Sequence, residues 1–367
     1  MHPGTLFQPA PQRFARSAEF TNPIAPGADP WVVRHEGEYL WCFSDHDRGV
    51  VVHRSRSLTE LGPKHNVWSA PDVGAYSAQI WAPELHRIGD RWYIYVAASD
   101  GRNENHRMIV LESDSEDPTG TFSFKAELYT GDDPSLACDN RWAIDGTLLD
   151  LGGTRYFLWS GWERGCDQQW LYIAPMSNPW TIAGPRTRLC DNDNFVWERV
   201  GETECGRGLN EGPQILQRDG RVFVVFSCSA SWEPGYKLGL LELLPKRDPL
   251  VPGSWRKHGT PVLQSSARTC GVGHCSFVKS PDGCEDWIVF HAKVSRRPGW
   301  ERVVHAQRFG WTDAGLPNFG TVVDAGIPTA RPSGDRRAAG LPVSSFVRGV
   351  RVVDSVDEAS GAPVEAE

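Results

Sequence analysis

Residues 210–226, NEGPQILQRDGRVFVVF, read as a hairpin with a chemically active residue at its head. Glu211 precedes a Gly212-Pro213 corner, an apolar strand pattern follows, Asp219-Gly220 supplies a tight turn, and Val222–Phe226 is a second strand of β-branched and aromatic residues. Four other segments repeat this grammar: ADPWVVRHEGEYLWCF (28–43), WAPELHRIGDRWYIYV (81–96), IDGTLLDLGGTRYFLWS (144–160) and GHCSFVKSPDGCEDWIVF (273–290). Aligned on their turns, the five segments lead with Asp29, Ala82, Asp145, Glu211 and His274; in the second, a two-residue shift would put Glu84 in place of Ala82. The spacing of about sixty residues leaves room for two further strands per unit. Four strands per unit repeated around an axis give an all-β fold, a five-bladed β-propeller, with the five leading positions gathered at one mouth. A sandwich would share the strand spacing, but it would not explain a chemically active residue at the same phase of each hairpin.

The composition agrees. The chain has 367 residues, 40% hydrophobic and 23% charged, with 16 Trp, 37 Gly and 27 Pro, and long helical periodicities are scarce. A net charge of -8 argues against a surface that tracks nucleic-acid phosphates. No window approaches the apolar length of a membrane span, and MHPGTLFQPAPQRFARS lacks the apolar core of a signal peptide, so no membrane partner is expected and the compartment is left open. The nine Cys are scattered; Cys270 and Cys275 fit no structural zinc spacing, and buried thiols are the main expectation, with one or two disulfides as the alternative. No Asn-x-Ser/Thr acceptor occurs. The chain also lacks a G-x-S-x-G elbow, an H-E-x-x-H pair, a Walker loop and a G-x-G-x-x-G helix start, which disfavours ester and peptide hydrolysis, zinc proteolysis and nucleotide chemistry.

Asp before Pro is an ordinary turn residue, but Glu has little turn preference, and like charges converging on an axis cost stability. Glycoside hydrolysis needs such a set: one acid protonates the leaving oxygen and another activates water or attacks directly. Close carboxylates push their pKa values apart, so one can stay protonated while another is ionised. Trp81, Trp162 and Trp232 lie near these strands and either offer faces to a sugar or serve as packing.

The ordered motifs GADPWV, WAPELH, WAIDGTLL, LNEGPQIL and GVGHCSF resemble glycoside hydrolase family 43 over roughly residues 20–325. The segments NHRMIVLES (105–113), SGWERGCDQQWLYIAPMSNPWTI (160–182) and GVGH (271–274) are most similar to its α-L-arabinofuranosidase branch. The resemblance implies a five-bladed propeller and hydrolysis with inversion, in which Asp29 is the general base, Glu211 the general acid and Asp145 the third acid that raises the pKa of Glu211. It further implies a base and acid about 6.5–9.5 Å apart, substrate contacts from Arg302 and His274, and a central ion such as calcium held near His274 through water. No cofactor is required by this chemistry, and the expected partner is an arabinose-containing oligo- or polysaccharide. A β-xylosidase or a non-catalytic sugar-binding propeller is the alternative. Two positions depart from the family pattern, His305 where Arg is frequent and Arg308 where Pro is frequent. The expected organisation is an extension over 1–19, the propeller over 20–330 and a tail over 331–367, partly docked through FVRGVRVV (346–353).

Overall fold

The computed structural model describes residues 19–335, apart from residue 134, residues 164–166 and residues 202–207. Every expected hairpin forms, and each grows outward into one antiparallel blade of a five-bladed β-propeller. The first blade comprises Trp31–His35, Glu38–Ser44, Gly49–Ser55 and Lys64–Ser69, and the second Ala78–Ile88, Arg91–Ser99, Arg107–Ser113 and Phe122–Glu127. The third is built on Ala143–Leu151, Thr154–Trp162, Gln169–Asn178 and Thr187–Cys190; the fourth on Asn210–Arg218, Arg221–Cys228, Lys237–Leu243 and Trp255–Lys257.

Tight turns follow from local sequence. Asp219 and Gly220 both have positive φ, 52° and 75°, between the paired residues Arg218 and Arg221, as a two-residue hairpin turn matched to strand twist requires. Glu36-Gly37 and Gly152-Gly153 solve the same problem in the first and third blades.

The fifth blade contains Cys270–Lys279, Asp286–Lys293 and Arg302–Trp311, and its outer neighbour is Ala25–Pro26, paired with Val304 and Val303. The ring is therefore clasped by chain that precedes the first blade. A second clasp pairs Glu19–Thr21 with Pro328–Ala330. Arg331 and Asp335, on the tail side of the expected boundary, dock on the first blade: Arg331 donates to Thr59 Oγ1 (2.6 Å), and Ser57 donates to Asp335 (2.8 Å). The 1–18 extension and the FVRGVRVV segment lie outside the described residues.

The core is divided among the five blade-to-blade interfaces, and strand alternation assigns residues to them. In the second strand of the fourth blade, Val222, Val224 and Phe226 pack towards the third blade, whereas Phe223 and Val225 pack towards the fifth. Both faces of such a strand are buried, which is why VFVVF is continuously apolar rather than alternating. Among the described cysteines none is in a disulfide, and Cys42, Cys228, Cys270 and Cys275 are buried thiols. No helix among the described residues is long and apolar enough to cross a membrane.

The repeat phase is a backbone conformation. Asp29, Ala82, Asp145 and His274 all have left-handed φ, between 44° and 56°; the last three stand at a break in the inner-strand ladder, and Asp29 just ahead of Trp31–His35. Ala82, not Glu84, therefore holds the phase in the second blade. In the fourth blade the phase belongs to Gly212 (φ 53°), and Glu211 stands one residue ahead of it, which corrects the alignment expected from sequence. A Cβ at 212 would lie 3.2 Å from His274 Nδ1 and 3.3 Å from Ser227 Oγ, so a side chain there would crowd the His274 ring, and the acid comes from the preceding residue. By register, Glu211 is equivalent to Trp81 and Ile144. Gly212→Ala is expected to lower stability by roughly 1–3 kcal/mol, read as a lower denaturant midpoint at unchanged slope.

Candidate active site

Three carboxylates and two histidines converge where the inner strands begin. His274 Nδ1 lies 3.2 Å from Asp29 Oδ1 and 3.9 Å from Asp145 Oδ2. His291, fully buried on the second strand of the fifth blade, places Nδ1 3.1 Å from Asp29 Oδ1 and 3.2 Å from the Asp29 backbone nitrogen. Arg302 Nη1 stands 3.4 Å from the same carboxylate oxygen. Across the pit, Tyr236 donates to Glu211 Oε1 at 2.8 Å, Ser231 hydrogen-bonds the same carboxyl, and the Gly212 N–H donates to Asp145 Oδ2 at 3.0 Å.

These surroundings set opposite proton preferences. Burial alone would push the Asp29 carboxyl up, but His274, Arg302 and the hydrogen bond to His291 outweigh it and hold Asp29 well below the usual carboxylate range. Burial pushes His291 down to about 4 and lowers His274 as well. Asp29 opposes both shifts, since its charge favours the protonated rings, and Arg302 is the permanent positive charge beside it. Glu211 is pushed up to about 7, first by burial and then by the charge of Asp29, against the bonds from Tyr236 and Ser231 and the charge of Arg302. Asp145 is raised well above its ordinary value by burial and by Glu211. Asp145 and Glu211 titrate as a pair that keeps a proton into the neutral range. Burial, more than the charge of Asp145, is what makes Glu211 a proton holder.

The expected aromatic residues divide. Trp81 occupies the ladder position that Glu211 occupies two blades on, stacks on His106 at 3.9 Å, and helps to lower the pKa of Asp47 against its burial. Trp162 is half-buried and stacked on Trp142, ring centroids 4.3 Å apart, in the packing of the second and third blades. Trp232 pairs with Trp300. Of the two departures from the family pattern, His305 is buried against Phe290, and Arg308 forms an exposed ion pair with Glu285.

Sequence reasoning missed His291, Tyr236, Ser231 and Asp47. His291 had a readable signal, a titratable residue inside the otherwise apolar strand core WIVFHA. Asp47 lies on the turn after the second strand of the first blade, and the charges of Asp29 and Arg302 act on it, the former pushing its pKa up after burial has done so. No group of three or more His, Cys, Asp or Glu placed to hold a metal occurs among the described residues. His274 turns Nδ1 to the two aspartates, and the protein's own side chains do not fit a directly coordinated ion there.

A profile described as Glycosyl hydrolases family 43 matches residues 20–317. The chain belongs to that family. It is 35% identical over 324 residues to alpha-L-arabinofuranosidase 43 of Humicola insolens, an alignment covering 84% of this chain and 64% of that protein. It is 34% identical over 332 residues to the extracellular exo-alpha-(1->5)-L-arabinofuranosidase of Streptomyces avermitilis, covering 86% and 66%. The chain thus spans just under two thirds of the length of these two relatives. Among solved structures, an alpha-L-arabinofuranosidase from Lactobacillus brevis superposes with a TM-score of 0.75 at 31% identity, covering 84% of this chain and 98% of that one.

In this family 43 member the raised carboxyl has a consequence for stability. The folded-state pKa of Glu211, about 7, exceeds its ordinary 4.5, so ionising it disfavours the folded state as pH rises through that interval. Glu211→Gln removes this penalty. Its melting temperature should equal that of the parent near pH 4 and exceed it by roughly 3 °C or more at pH 8, as measured by calorimetry across pH.

Proposed function

We propose that the chain is an inverting glycoside hydrolase that releases terminal α-L-arabinofuranosyl residues from arabinan or arabinoxylan oligosaccharides. The observation that carries the chemistry is the opposed proton preference of Asp29 and Glu211 at one mouth. The arabinose assignment is supported by the named relatives at 34–35% identity.

In this reading protonated Glu211 donates to the glycosidic oxygen as the C–O bond breaks, and Tyr236 and Ser231 hold the carboxylate that results. Water enters from the opposite face of the sugar and passes its proton to Asp29. A weak base suffices, because positive charge building on the sugar acidifies the attacking water in the transition state. Asp145, anchored by the Gly212 N–H, holds the acid and the sugar in place. Trp81 and Arg302 line the sugar site, with Trp162 supporting it from behind. A calcium ion near His274 would be held through water and would take no part in proton transfer.

Product analysis by NMR on arabinan oligosaccharides, arabinoxylan oligosaccharides and aryl glycosides of arabinose and xylose tests the proposal. Free arabinose appearing first as the inverted anomer is expected; xylose as the sole product, a retained anomer or no turnover would each overturn it. Glu211→Gln should lower kcat/KM on oligosaccharides by about 10²–10⁴-fold and much less on aryl glycosides with good leaving groups. Asp29→Asn should abolish both, since every substrate needs the activated water.

The pH profile carries its own sign. Activity requires the proton on Glu211, so kcat/KM on oligosaccharides should fall above about pH 7. Tyr236 donates to the ionised carboxylate and so lowers its pKa; Tyr236→Phe should move this alkaline limb to higher pH, and an unmoved or lowered limb would contradict the assignment.

A further inference from the structure

Two tryptophans outside the carboxylate cluster are tied to it from opposite sides. Trp232 follows Ser231, whose hydroxyl is near enough to the Glu211 carboxyl to lower its pKa, and Ser231 is five residues before Tyr236, which donates to that carboxyl. Trp300 lies in the loop before the third strand of the fifth blade; Arg302, two residues on, donates from Nε to the Trp300 carbonyl (3.3 Å) and places Nη1 3.4 Å from Asp29. The Arg302 guanidinium carbon lies 5.6 Å from the centre of the Trp300 ring. The two indoles meet with centroids 5.3 Å apart and planes inclined at 50°.

Their backbones are fixed rather than loose. The Gly299 N–H donates to the Trp232 carbonyl (2.9 Å), buried Lys293 donates to the Gly299 carbonyl, and the Val294 N–H closes the loop on the Glu301 carbonyl (3.1 Å). Yet Trp300 is 62% exposed, on a chain whose other large aromatics are mostly buried. A lone exposed ring would be ordinary, but this one is paired with a second indole and with the arginine that reaches Asp29, and it faces solvent beside the carboxylate cluster.

We propose that Trp300, backed by Trp232, is the platform for the leaving-group side of the substrate, taking the sugar unit that follows the scissile bond. This rests on the glycosidase reading above. The leaving oxygen must face the proton donor, and Trp232 is one peptide bond from Ser231, whose hydroxyl acts on the donor carboxyl. A flat indole matches the C–H face of a furanose or pyranose, and the inclined second ring limits how the sugar can lie. The platform recognises the presence of a following sugar more than its hydroxyl pattern, which suits removal of end residues from chains.

The experiment compares kcat/KM for α-1,5-arabinotriose with that for methyl α-L-arabinofuranoside, whose aglycone is too small to reach the indole. In Trp300→Ala the ratio of the two should fall about tenfold, the size of one lost aromatic contact. Trp300→Phe, which keeps a flat face, should restore most of it. An unchanged ratio in Trp300→Ala overturns the proposal. A fall that Phe does not restore also overturns it, assigning the effect to the loop and Arg302 instead of the ring. The same comparison is run with xylobiose and methyl β-xyloside: a parent enzyme active only on these overturns the arabinofuranosidase reading, while the ratio still decides the platform.

Discussion

The contact on which the mouth depends is the hydrogen bond from the Gly212 N–H to Asp145, at a residue whose missing side chain leaves room for the His274 ring. That absence lets the His274 ring sit against the backbone of the fourth blade, within reach of both Asp29 and Asp145. Three blades meet through this one point, and a fourth contributes Asp29. Neighbouring bonds extend the pattern: the His274 N–H donates to Ser227 (2.7 Å), Ser160 to the Asn210 carbonyl (2.8 Å), and Ser276 to the Pro30 carbonyl (2.8 Å). Gln214 reaches from the fourth blade to Glu84 in the second, a buried bond between non-adjacent blades. Polar contacts in the channel thus supply the directionality that apolar packing between blades lacks, since burial alone would tolerate small rotations of one blade against the next.

The same geometry explains how an acidic cluster survives in a stable ring. Each carboxylate has a dedicated compensating group, and the groups differ in kind. Asp29 has a guanidinium and two imidazoles, Asp145 has a backbone amide, and Glu211 has two hydroxyls. A cation stabilises an anion far more than a neutral hydroxyl does, so burial wins at Glu211 and loses at Asp29. The division between a proton holder and an ionised acid comes from which strand supplies the neighbour.

Much of this was legible in the linear chain, because a propeller repeats its local chemistry. Asp-Gly and Gly-Gly between apolar runs marked the hairpins, and continuous apolar second strands marked burial on both faces. The acids Asp29, Asp145 and Glu211 were legible as residues at a shared phase. The one-residue offset of Glu211 was not, since it goes with the close approach of His274 from another blade to residue 212, which turn alignment does not contain. Tyr236, Ser231 and Asp47 were hidden for a related reason. They reach the mouth from the connections between second and third strands, where nothing repeats, and their partners are chosen by proximity across blades.

The clasp made by Ala25–Pro26 in the fifth blade has a temporal meaning. Asp29 follows that clasp by three residues, and every group that keeps it ionised, His274, His291 and Arg302, belongs to the fifth blade. As the chain emerges from the ribosome, Asp29 is made ahead of the first blade and its companions with the fifth. Until the ring shuts, the acid has neither its charge partners nor its fixed backbone. Competence for chemistry therefore arrives in one step with closure, and an incompletely folded chain carries the residues of the site without its reactivity.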